Sequence, residues 1–174
     1  MAPEERSEIV QKLEKSRREL NAAVESVTDA AASTKPGADR WSVLECLEHI
    51  TLVEERFLKR LHEAERKDAP HSDRQREDEL AAMVTNRSQP AQAPPPAHPA
   101  GRFTSVAQAL EAFNEVRTRT IRFAEDHAAE LYSIAGEHPR FGPRNGVELL
   151  LIIAGHAQRH AEQIHEARTA VGNS

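Results

Sequence analysis

Two histidines one helical turn apart, His156 and His160, stand in the stretch GVELLLIIAGHAQRHAEQIHEARTAV, which runs from Gly146 to Val171. At about 100° per residue, Leu149, Ile152, Ile153, Ile164, Ala167 and Val171 share one stripe, and the two histidines lie at its centre, roughly 40° apart. An imidazole that faces a core costs on the order of a few kcal/mol unless it is hydrogen-bonded or bound to something. Rings at i and i+4 sit about 6 Å apart along the axis, so both can reach one ion at about 2.0–2.1 Å. The spacing therefore points to a metal rather than to two independent core histidines. It does not point to a metalloprotease, because Ala157 stands where the H-E-x-x-H motif needs its general base.

A third imidazole comes from His49. It lies at the edge of an apolar arc made by Cys46, Leu47, Ile50, Val53, Phe57 and Leu61, roughly 90° from its centre, where a side chain leans into a cleft. Three histidines leave at least one coordination position open on a tetrahedral or octahedral ion, and an open position is a reactive one. The other histidines read as incidental. His165 is about 180° round the helix from His156, His62 points away from the face that carries His49, and His71 and His98 fall in polar loops. A di-iron carboxylate centre needs two Glu-x-x-His pairs and two further glutamates, whereas only Glu162 with His165 fits, on the wrong face.

Around this set, Cys46 reads as a buried apolar thiol rather than a fourth ligand. Gln163, within about 20° of His156 in projection, is either a hydrogen-bond partner for a ligand imidazole or bound water or a polar residue at the bundle's end. Arg87, Arg140 and Arg144, in loops flanking the third and fourth helices, are either an anion-binding group or ordinary solvated charges. No Asp or Glu lies on the apolar face beside the histidines, so no residue is assigned as catalytic.

These side chains need helices to position them, and the sequence supplies four. The first is expected from Pro3 to Ala32, with Ile9, Leu13, Leu20, Val24 and Val27 recurring every three to four residues. Pro36 and Gly37 break it. Ser42 and Glu45 form a capping box for the second helix, Ser42 to Lys67, with Trp41 stapled onto its first turn. Ser72 to Asn86 is expected as a short helix, followed by a segment whose Pro90, Pro94, Pro95, Pro96 and Pro99 exclude regular helix and which lies over one end of the bundle. The third helix starts near Thr104 or Ser105, with Gln108 completing a cap, and runs to Ala129. A turn through LYSIAGEHPRFGPRN follows, and Asn145 with Glu148 caps the last helix. The fold class is all-α, a four-helix bundle in one domain over residues 1–174, and the long connection between helices 2 and 3 allows a crossover.

Composition agrees with helix: there are 7 glycines, 4% aromatics and one cysteine in 174 residues. A net charge of −5 offers no basic surface for nucleic acid. With a single cysteine there is no internal disulfide framework. No apolar run approaches the roughly 20 residues of a membrane span, and the N-terminus is too charged for a signal peptide. A soluble, cytoplasmic protein is expected.

RWSVLECLEHI (Arg40–Ile50), NRSQPAQAPPPAHPAGRF (Asn86–Phe103), HPRFGPRNGVELL (His138–Leu150) and GHAQRHAEQI (Gly155–Ile164) together resemble the DinB-like superfamily, which includes the YfiT-type proteins. The resemblance covers nearly the whole chain. It implies a four-helix bundle, often a homodimer, with a divalent ion such as Zn²⁺ or Ni²⁺ on one histidine of the second helix and two of the fourth. Carried over, the ligands are His49, His156 and His160. Some members resemble transferases that use a low-molecular-weight thiol, and others hydrolases. The expectation is a metal-dependent enzyme acting on a small molecule, with a non-catalytic, metal-stabilised bundle in a binding or stress-response role as the alternative.

Overall fold

The computed structural model of the chain describes residues 3–64, 69–88 and 92–172. Four long helices form its body: α1 (Pro3–Ala23), α3 (Val43–Glu63), α5 (Val106–Asp126) and α6 (Gly146–Gly172). Two shorter ones, α2 (Asp29–Ser33) and α4 (Arg74–Thr85), and an antiparallel hairpin of β1 (Ala135–His138) and β2 (Gly142–Asn145) complete it. Both α1 and α3 pack against α5 and α6, which leaves α1 and α3 on one diagonal and α5 and α6 on the other. The architecture is the expected all-α bundle. No helix among the described residues is long and apolar enough to cross a membrane.

Several boundaries differ from the sequence expectation, each for a local reason. The first helix stops at Ala23 rather than Ala32. The amides of Val24, Glu25 and Val27 bond three residues back, Ser26 enters the left-handed region at φ 64°, and Thr28 then caps α2 by accepting from Ala31 N. The second helix ends at Glu63, where Ala64 turns extended; its expected last residues, 65–67, lie outside the described residues, as does Pro90. The short helix of the connection begins at Arg74 because Asp73, not Ser72, accepts from the Arg76 amide. The third helix ends at Asp126. The expected turn after it contains the hairpin, whose 139–141 loop closes on Gly142 in the left-handed region at φ 71°, as three-residue hairpin loops require.

The caps follow the expected chemistry. Ser42 N donates to Glu45 Oε2 (2.9 Å) and Glu45 N to Ser42 Oγ (3.2 Å), and Asn145 and Glu148 exchange the same pair of bonds (3.1 and 3.0 Å). Gln108 N donates to Ser105 Oγ, and Thr104 N to Gln108 Oε1.

Instead of one buried stripe, α6 is buried all round from Gly146 to Gly155. The physical reason is α4. The long connection is the crossover that the sequence allowed, because α3 and α5 run parallel, with Glu54 beside Arg117 and His62 beside Phe123, so it returns to the N-terminal end of α3. On the way it carries α4 to the outer side of α6, where Leu80 and Val84 close over Ile152 and Phe141. Gly155 permits this approach, because a Cβ there would stand 2.9 Å from Val84 Cγ1. A buried ion pair ties the other helices together: Arg117 on α5 donates to both oxygens of Glu54 on α3 (2.7 and 2.8 Å) and to Leu13 O and Ser16 Oγ on α1.

Candidate metal centre

On α3, the capping box at Ser42 sets the helix phase that turns His49 inward, and on α6 the apolar stripe does the same for His160. His49 and His160 are 4% and 8% exposed, while His156 is half-buried. One nitrogen from each ring falls within a group whose members lie within 4.8 Å of one another. The Nε2 atoms of His49 and His156 are 3.1 Å apart. Two ligand nitrogens on one ion, each at about 2.0–2.1 Å, stand about 3 Å apart. No carboxylate or thiol belongs to this group.

Hydrogen bonding selects the tautomer. His49 Nδ1 lies 2.7 Å from the carbonyl oxygen of Ala97, which can only accept, so Nδ1 carries the proton and Nε2 presents its lone pair. A ligand histidine is held in the same way, its far nitrogen donating to a carbonyl. On His160, Nδ1 is buried with no hydrogen-bond partner, the kind of orphan that a bound ion satisfies. Burial is the first cause that lowers the basicity of all three rings. His160 is pulled down to about 3, with His49 adding to the effect, and His156 falls well below the ordinary value, with His160 and His49 contributing. The imidazoles are therefore neutral at pH 7, with lone pairs available, and the set fits a divalent cation. His156 keeps solvent contact although dense packing dominates its shift.

The walls come from two segments. Trp41, expected to staple onto the first turn of α3, packs against the cluster that holds Val43 and Cys46, and its ring also covers two of the histidines, with its centroid 4.7 Å from that of His49 and stacked at 18° to His160. The proline-rich segment lies against α3. Besides the Ala97 contact, Arg56 donates to Pro96 O, Arg102 donates to both carboxylate oxygens of Glu55, and Glu48 accepts from the amides of Ala100, Gly101 and Arg102. Residues 48, 49, 55 and 56 share one α3 face at i and i+7.

Other residues singled out in the sequence stand apart from this group. Cys46 is fully buried, and burial pushes its thiol up to about 12, so it is a neutral core group. Gln163 offsets part of the shift on His160 by hydrogen bonding, although it does not satisfy Nδ1 at hydrogen-bond distance. Arg87 pairs with Glu166 (2.7 Å), Arg144 lies 3.7 Å from Glu148, and Arg140 sits over the Phe141 ring; they do not form one anion site. His62 packs edge-on to Phe123, His98 Nε2 bonds Ala93 O, and His71 and His165 are exposed. Two surface concavities, of about 290 Å³ between α1 and α4 and about 410 Å³ beside the hairpin, do not reach His49, His156 or His160, so the site is marked by its chemistry rather than by cavity size.

Three participants were not legible in the sequence: the Ala97 carbonyl, the Trp41 roof, and Glu48. Only Glu48 carried a signal, as a carboxylate on a helix turn that otherwise faces the core. His138 was also missed; it stacks on Phe57 at 5.1 Å and 12°.

Comparison with known proteins agrees with this fold. A sequence model of the DinB superfamily matches residues 12–164. The uncharacterised protein YuaE of Bacillus subtilis (strain 168) is 25% identical over 148 residues, covering 85% of this chain and 90% of the relative. Among solved structures, YfiT from Bacillus subtilis, described as a probable metal-dependent hydrolase with an unusual four-helix bundle topology, superposes with a TM-score of 0.63 at 16% identity, over 99% of this chain and 90% of that one.

Proposed function

The chain belongs to the DinB superfamily, and from that premise we propose that His49, His156 and His160 hold one divalent metal ion in an enzyme acting on a small molecule, with thiol-dependent group transfer as the leading reaction. The observation that carries this reading is the tautomer lock: a ring fixed by Ala97 O presents Nε2 toward His156 Nε2 at 3.1 Å. When bound, the ion supplies Lewis acidity that lowers the pKa of a coordinated water or thiol. Imidazole ligands suit zinc and nickel alike.

Transfer is favoured over hydrolysis by where the carboxylates are. Every buried glutamate among the described residues is committed: Glu48 to three backbone amides, Glu54 to Arg117, and Glu148 to Arg76 and the Asn145 amide. None is left to take a proton from water, whereas a thiol needs only its own deprotonation. Three neutral imidazoles leave the ion's charge uncompensated and so favour an anionic ligand such as a thiolate. Trp41 and the proline-rich segment exclude bulk water and orient the substrate. Hydrolysis is the second reading, supported by the description of YfiT. The protein works in the cytoplasm without nucleic acid, as a homodimer.

Cobalt(II) substitution tests the proposal, because its d–d bands report coordination number and a sulfur ligand adds a near-ultraviolet charge-transfer band. A small thiol added to the cobalt protein changes both, and His49→Ala loses the response. An unchanged spectrum up to millimolar thiol removes the transferase reading and favours the non-catalytic bundle.

A further inference from the structure

The segment that covers the histidines has little means of holding itself in place. Pro94, Pro95, Pro96 and Pro99 have no amide hydrogen, and among the described residues the 3₁₀ turn at Pro95–Ala97 closes on two backbone bonds, Ala97 N to Pro94 O and His98 N to Pro95 O. The Ala97 carbonyl that fixes His49 must therefore be held from outside. On the rim, the exposed Arg56 donates to Pro96 O, and Arg102 and Glu55 are part-exposed, at 45% and 30% of their side chains, where such contacts add little.

Glu48 is different. It is 5% exposed, and its carboxylate accepts from Ala100 N at 2.6 Å, Gly101 N at 3.0 Å and Arg102 N at 2.9 Å. Three successive amides converge because Gly101 adopts φ 82°, the alternation that makes a backbone nest for an anion. Charge-assisted bonds of this kind are about twice as strong as neutral ones. Glu48 and His49 are consecutive on α3, and they grip the two ends of one stretch of chain, His49 at Ala97 and Glu48 at Ala100–Arg102. Pro99 stiffens the link between the two grips.

We propose that Glu48 is a positioning residue for the histidine site: by anchoring residues 100–102 it places the Ala97 carbonyl so that His49 is held with its proton on Nδ1 and its Nε2 free for a ligand. The tautomer part stands on the hydrogen bonds alone, and the consequence for metal affinity rests on the proposed metal reading. Without the carboxylate the amides lose their acceptor, the segment lifts, and His49 is free to take either tautomer.

The test reads the tautomer directly, in metal-free protein labelled with ¹⁵N histidine. Long-range ¹H–¹⁵N correlations show which ring nitrogen carries the proton, and the His49 signals are those missing in His49→Asn. The wild type shows one His49 tautomer, protonated on Nδ1. Glu48→Gln turns an amide group toward three N–H donors and yields a mixture, with the other histidine signals retained, and cobalt(II) affinity falls about 10- to 100-fold. Gly101→Ala attacks the same anchor from the loop side, where no atom lies within 4 Å of the new Cβ and only the positive φ resists it; it shifts both readouts in the same direction if Glu48→Gln fails to fold. A variant that melts earlier but keeps the single tautomer and the affinity shows a merely structural role and overturns the proposal. Failure of the wild type to bind cobalt removes the metal reading instead, and the tautomer arm still decides on Glu48.

Discussion

The Nε2 atoms of His49 and His156, from residues 107 apart in the chain, stand 3.1 Å from each other. Nitrogens of two neutral rings approach so closely when one donates a proton to the other or when both face one acceptor of lone pairs. Removing either ring separates the cases. His49→Ala, His156→Ala and His160→Ala each abolish stoichiometric binding of zinc or nickel, as read by elemental analysis after dialysis, and each loses the melting-temperature increase of about 2.7 kcal/mol equivalent that a ligand at 100-fold saturation confers. His165→Ala, on the exposed side of α6, changes neither. Equal metal loss in all four variants would sink the assignment.

The His138 imidazole, whose charge also acts on His156, supplies a pH dependence of its own. Burial first, and then Arg60, Arg144 and Arg140, lower it from 6.5 to about 4, while its Nδ1 accepts from the amides of Arg140 and Phe141. The folded state therefore favours the neutral ring. Its contribution is complete above pH 6.5 and is lost as pH falls from 6.5 toward 4, because the unfolded chain takes up the proton first. Urea titrations of metal-free protein across that window should show a total loss of stability smaller by about 1–3 kcal/mol in His138→Asn, which keeps an acceptor for the amides. Parallel curves for the two proteins would refute the assignment.

The Arg117–Glu54 pair, fully buried at 0% and 2% side-chain exposure, holds α1, α3 and α5 together. Arg117→Met leaves Glu54 as an unpaired buried charge and is expected to cost about 3–5 kcal/mol. Arg117→Met combined with Glu54→Leu recovers most of that loss, since two apolar side chains leave no orphan. A double-mutant cycle by chemical denaturation checks it, and simple additivity of the two losses would show that the pair is not the unit.

Gly155 sets the docking of α4. Alanine is worth about 1 kcal/mol more than glycine inside a helix, but here its Cβ meets Val84 at 2.9 and 3.2 Å, and overpacking costs about 1–3 kcal/mol. The clash wins. Gly155→Ala should lower amide-exchange protection across Arg74–Thr85, and Val84→Ala in the same chain should restore it. Unchanged protection would mean that α4 adapts at no cost.

Much of the scaffold was legible in the sequence, because its signals are local. Helical periodicity placed α3, α5 and α6, and side chains three residues apart wrote the caps at Ser42 and Asn145, whose bonds span no more than one turn. The one-turn spacing of His156 and His160 is likewise a property of the helix itself, and the resemblance to the DinB-like superfamily brought His49 to the same place. The early end of α1 was not legible, since the left-handed conformation of Ser26 breaks no periodic pattern.

Tertiary structure decided what long-range contacts alone can decide. The sequence left the proline-rich segment as a cover over one end of the bundle, yet its Ala97 carbonyl, 48 residues from His49, selects the tautomer, and its amides at 100–102 engage Glu48. Glu54 and Arg117, 63 residues apart, become a core pair only when α3 and α5 lie side by side. Gly146 to Gly155 reads as one buried stripe until α4 covers the other face. A local pattern fixes which way a side chain points, because backbone geometry repeats along a helix; what it meets there depends on the packing of segments whose separation in sequence carries no information about their separation in space.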